Sequence, residues 1–134
     1  MTRVALVLVL LALICCAAFQ VKIGAPARGL VKFTPPPVYS LWWAKDEECS
    51  GFTAPMSTAV SGWWYTANAE QLTSGKDPVD GFFLPASREI AIRGALQSSE
   101  TLVRHEMLHA ILDRHGITGH PAEYFVTRCH LVAG

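Results

Sequence analysis

The stretch "LVRHEMLHAILDRHG", residues 102 to 116, constrains the fold more than any other part of the chain. Leu102, Val103, Met107, Leu108, Ile111 and Leu112 recur at helical spacing. Ser98 or Ser99 can cap the start, with Glu100 in the first turn. Gly116 is a natural stop. The spacing therefore predicts a helix that must bury apolar side chains while carrying His105, Glu106 and His109 in the pattern H-E-x-x-H.

Histidines four residues apart lie one turn apart on one helix face, so both imidazoles can meet one metal ion. Glu106 is rotated by about 100° from His105 and can act on a water beside that ion without being a ligand. The residue types point to zinc chemistry, with His105 and His109 as ligands and Glu106 as general base. A buried helix without metal would have to carry these ionisable groups on an apolar segment, where unpaired ones are costly.

A third ligand is needed. His115 would lie about 9 Å along the axis from His109 and about 120° around it, out of reach of the same ion. Its position at the helix end suits contact with the dipole instead. His120 is better placed, because Gly116 and Gly119 let the chain reverse and residues 115 to 120 can span up to roughly 17 Å. Glu123, one turn into a helix expected to start at Pro121 and run nearly to the end, is the alternative. His130 is too close to the C-terminus to be favoured.

The rest of the chain sets the context. With 134 residues, one domain is expected. Eleven acids balance eleven bases, and no basic stripe marks a nucleic-acid binder. Arg3 followed by an apolar run from Val4 to Ile14 and small residues to Ala18 reads as a signal peptide over residues 1–18. The run is too short to span a bilayer comfortably, so no stable membrane domain is expected after processing. The expected location is secreted or periplasmic. Retention of the apolar segment, or lipidation at Cys15 or Cys16, would instead hold the chain at a membrane. Processing leaves Cys49 and Cys129, which in an exported chain suggests one disulfide.

Residues 19–37 read as a Pro- and Gly-rich tether, and 38–134 as the folded domain. Within it, "VYSLWWAKDEEC" suits a helix, while "GWWYTANA", "FFLP" and "REIAIRG" suit strands. "SGKDPVDG" reads as a loop. The fold class is α+β, with a small antiparallel or mixed sheet on the motif helix and a helix near the C-terminus.

The segment "ETLVRHEMLHAIL…GHPAEYFVTRC" resembles the SprT-like zincins. In that family a loop and a GHG-x-x-F segment after the motif helix supply a third histidine. Gly119, His120 and Phe125 or Tyr124 stand in those positions, over about 30 residues. Pro121 replaces the glycine after the histidine, and Leu112 stands where a metzincin would need glycine. The resemblance implies zinc on His105, His109 and His120, with Glu106 catalytic. It also implies a peptide or protein substrate laid against the strand before the motif helix, a place that falls to "REIAIRG". Tyr124, His115 and His130 are candidates for stabilising the transition state. The implied activity is an exported zinc metallopeptidase, and the alternative is an exported metal-binding or structural module without turnover. Oligomeric state and cleavage preference have no signature in the chain.

Overall fold

The computed structural model describes residues 29–67, 71–74 and 76–132. The segment read as a signal peptide and most of the tether lie outside these residues.

A four-stranded mixed sheet runs in the order β1 (Leu30–Lys32), β2 (Gly62–Thr66), β6 (Glu89–Ile92), β5 (Gly81–Leu84). β2 and β6 are parallel, and the other two pairings are antiparallel. Between β2 and β5 the chain makes a separate hairpin of β3 (Leu72–Ser74) and β4 (Asp77–Val79). Helix α1 (Val38–Ser50), the short α2 (Met56–Ala59) and the motif helix α3 (Glu100–Asp113) complete the core, with α1 packed along α3. The fold is thus α+β, as expected.

The aromatic-rich segments form that core. Tyr39, Trp42 and Trp43 on α1 meet Trp63 on β2, Ile90 and Ile92 on β6, and Val103, Met107 and Ile111 on α3. Their polar atoms are satisfied where they are buried. The Tyr39 hydroxyl donates to the Gln97 carbonyl at 2.7 Å and the Trp43 indole to the Ala54 carbonyl at 2.8 Å. A smaller cluster lies on the other side of α3, where Leu108 and Leu112 meet Phe125, Cys129 and Leu131.

Three local readings change. Leu30–Lys32, assigned to the tether, pairs with β2, and Phe33 packs edge-on against Tyr39 and Trp63. A strand of three residues is too short to show alternation. The "SGKDPVDG" segment contributes to the β3–β4 hairpin, where Pro78 masks any strand signal. The helix expected after Pro121 is present, but it is shorter and π-wound, over Glu123–Arg128. The Cys129 amide bonds the Tyr124 carbonyl at 2.9 Å, and His130 then takes a left-handed turn at φ 52°. Those two features turn Leu131 back into the smaller core cluster.

Helix α3 begins and ends as its sequence dictates. The Ser99 side chain accepts from the Leu102 amide. At the other end Ile117 N–H bonds the Leu112 carbonyl and Gly116 N–H the Asp113 carbonyl, both at 3.0 Å. With Gly116 at φ 74°, these are the two bonds of a Schellman stop. Leu112 and Ile117 belong to the same apolar cluster, the contact that accompanies this stop.

Candidate metal centre

His105 and His109 project from one face of α3 as the i, i+4 spacing requires, and the loop after Gly116 carries His120 back over them. His120 Nε2 lies 3.0 Å from His105 Nε2 and 2.9 Å from His109 Nε2. One nitrogen from each ring lies within 4.8 Å of the others, a geometry that could hold a metal ion. The ring of Phe125 supports all three imidazoles, with centroid distances of 4.8, 4.6 and 5.0 Å.

Hydrogen bonding sets the chemistry of the donors. His105 Nδ1 lies 2.9 Å from the Leu131 carbonyl oxygen. A carbonyl only accepts, so Nδ1 carries the proton and Nε2 presents a lone pair to the cluster. His120 Nε2 faces both that nitrogen and His109 Nε2, and one ring nitrogen cannot donate to His105 and also satisfy His109. A cation between the rings satisfies all three. Three imidazoles with an open remaining position suit zinc among several divalent ions. Nitrogens about 2.0–2.1 Å from a tetrahedral ion sit roughly 3.3 Å apart, so His120 Nε2 need draw back from each of its two neighbours by only a few tenths of an ångström.

Electrostatics favour the neutral, ligating form. Burial pushes His109 down to about 3, reinforced by His120 and His105. Burial also lowers His105, against the opposing pull of its bond to Leu131.

Glu106 is 4% exposed and points toward β5. Burial pushes its carboxyl up to about 8, while a hydrogen bond with the Phe83 backbone pulls it down. Gly81 makes this contact possible, since a Cβ there would stand 3.1 Å from Glu106 Cγ and Oε1. Behind the helix, Arg104 Nε donates to buried Asp46 at 2.9 Å and ties α3 to α1 beside His105. Burial outweighs the guanidinium and raises Asp46 to about 7.

The histidines and Glu106 open onto a cleft of about 570 Å³ between β5 and the Thr118–His120 loop. The strand lining it is β5, not "REIAIRG", because β6 is interior, paired on both sides and buried. The other expected candidates lie elsewhere. His115 Nε2 bonds the Thr53 carbonyl at 3.0 Å and its ring packs on Phe52. Glu123 is exposed and lies 3.7 Å from Arg128. Tyr124 packs on Phe52, so the aromatic position beside the cluster belongs to Phe125. His130 is exposed and does not line the cleft.

Cys49 and Cys129 form a disulfide across 80 residues, with Cα atoms 5.1 Å apart. It joins the end of α1 to the segment that delivers Leu131. Among the described residues no helix is long and apolar enough to cross a membrane.

Sequence reasoning did not find Leu131, Gly81 or Phe83. Leu131 and Phe83 act through backbone atoms, which carry no residue-type signal. Gly81 had a weak one, a glycine opening an apolar strand. Searches against protein-family models, curated proteins and solved structures gave no match.

Proposed function

We propose that the protein is a zinc-dependent peptide hydrolase, with His105, His109 and His120 as ligands and Glu106 as general base. The observation that carries this reading is the convergence of three imidazole nitrogens beside a buried carboxyl group, all opening onto one cleft. The similarity of "RHEMLH" and "GHPAEYF" to the SprT-like zincins agrees with it.

Bound zinc would supply the Lewis acidity that makes water a nucleophile near neutral pH, polarise a carbonyl and draw the Glu106 pKa downward. Glu106 then takes the proton from water and returns it to the departing amine. The Phe83 backbone and the Gly81 contact hold the carboxyl in place for both transfers. β5 is a sheet edge lining the cleft, so an extended peptide can lie along it by main-chain pairing. The disulfide agrees with residence in an oxidising compartment, the secreted or periplasmic location expected from the N-terminal segment.

Elemental analysis of the purified protein tests the metal assignment. Zinc should be near stoichiometric in the wild type and in His115→Ala. His105→Ala, His109→Ala and His120→Ala should each lose most of it, because two ligands hold zinc weakly. Retention by all three would contradict the ligand set. A zinc-loaded protein that cleaves no peptide in a broad digest would be a binding module instead.

A further inference from the structure

The cleft has an electrostatic character that metal binding alone leaves unexplained. Among the described residues its ionisable lining side chains besides the histidines are Asp80, Glu106 and Asp113, and none is a lysine or arginine. Two of these acids are engaged. Asp80 accepts from Arg93 at 3.2 Å, and Glu106 is buried against β5. The Asp113 carboxylate makes no hydrogen bond or ion pair among the described residues.

Asp113 also sits where a helix disfavours it. It is the last residue of α3, at the negative end of the macrodipole, with no basic residue in that turn. An acid there costs stability, and Asp113 has no partner to offset the cost. Residues that break a local rule in this way are expected at functional positions. Its place on the helix is specific. His105, His109 and Asp113 follow one another at four-residue steps, so the carboxylate continues the face that carries the ligands. Four residues correspond to about 6 Å along the axis. A lysine side chain spans roughly the same distance from Cα to its ammonium group. Ile117 supplies apolar wall for the stem of such a side chain.

We infer that Asp113 is a specificity-determining residue that selects a lysine or arginine side chain next to the bond presented to the metal centre. This rests on the cleft being hydrolytic, and it names the substrate class as peptides with a cationic side chain beside the scissile bond. The occupant is a side chain and not a free α-amine, so acetylated peptides qualify.

The test uses the full zinc-loaded protein and a pool of N-acetylated, C-amidated peptides, with cleavage sites mapped by mass spectrometry. Wild type should show lysine and arginine enriched about ten-fold at one position adjoining the cut, equivalent to about 1.4 kcal/mol. Asp113→Asn should abolish the enrichment, and Asp113→Lys should shift it to acidic residues, both with zinc content unchanged. Enrichment that survives Asp113→Asn overturns the inference. So does cleavage without basic preference. A second readout does not depend on turnover. Fluorescence anisotropy on metal-free protein compares acetylated peptide pools that differ only in a central lysine or norleucine. Lysine should bind about ten-fold more tightly to wild type and equally to Asp113→Asn. Equal binding to wild type also overturns the inference. Absence of cleavage together with an Asp113-dependent lysine preference would refute the hydrolase reading and leave the cation site standing.

Discussion

The imidazole of His105 donates from Nδ1 to the main-chain carbonyl of Leu131, 26 residues away, at 2.9 Å. That bond decides which nitrogen faces His109 and His120. It also makes the three-histidine cluster depend on the path of the residues up to Leu131. The π-helical winding of Glu123–Arg128 and the left-handed turn at His130 set that path. Partners of this kind typically govern ligand orientation and basicity.

The dependence can be measured with two variants. Leu131→Ala keeps the carbonyl and removes a buried side chain, so it should cost about 2–4 kcal/mol of stability with zinc affinity nearly unchanged. Truncation after His130 removes the carbonyl as well, and should lower zinc affinity by about 10–100-fold. Chelator competition measures the affinities, and thermal melts measure the stability. Equal affinity in the truncated and full chains would show that the bond does not orient His105.

The Cys49–Cys129 disulfide should hold the same segment. Cys129 precedes Leu131 by two residues, and closing an 80-residue loop stabilises the native state by roughly 4–5 kcal/mol in the chain-entropy model. The double variant Cys49→Ser, Cys129→Ser should melt lower and bind zinc more weakly. A thiol count on denatured, unreduced protein lacking residues 1–18, and with them Cys15 and Cys16, should find neither remaining cysteine free. Two titrating thiols, or unchanged zinc affinity in the double variant, would contradict this linkage.

Glu106 should leave a pH signature in the metal-free protein. Its folded pKa is pushed up to about 8 from an ordinary value near 4.5, so the folded state binds the proton more tightly than the unfolded chain does. Stability linked to this group is fully present below pH 4.5 and is lost as pH rises through 8. The difference in unfolding free energy between wild type and Glu106→Gln should therefore shift against wild type by several kcal/mol between about pH 5 and 9. Denaturant melts across that range read it directly. A constant difference would mean that Glu106 is already ionised in the apo fold. Zinc should flatten the difference, because a nearby cation favours the carboxylate.

Much of the centre was legible because helical geometry is regular. Residues four apart share a face, so His105 and His109 had to point together. Leu112 continues the helix, which takes His115 away to Thr53. Gly116 stops it and lets His120 return. What was hidden depends on backbone atoms and short elements. The Leu131 carbonyl and the Phe83 main chain carry no side-chain code. β1 is three residues long, too short for its alternation to stand out from the prolines that follow. Placing "REIAIRG" at the cleft failed for a topological reason. β5 is inserted at the sheet edge from earlier in the chain, which leaves β6 in the interior. Asp113 had a readable signal, its four-residue spacing from His109, but only the shape of the cleft shows that it lines the same space.

In the proposed reaction Glu106 acts on water and does not hold the metal. The most direct test is the hydrolysis rate of zinc-loaded Glu106→Gln beside that of the wild type, on a peptide the wild type cleaves and at equal zinc content. The amide cannot accept the proton, so the variant should retain stoichiometric zinc and lose about 10²–10⁴-fold in rate. Full zinc with an undiminished rate would contradict a general-base role for Glu106.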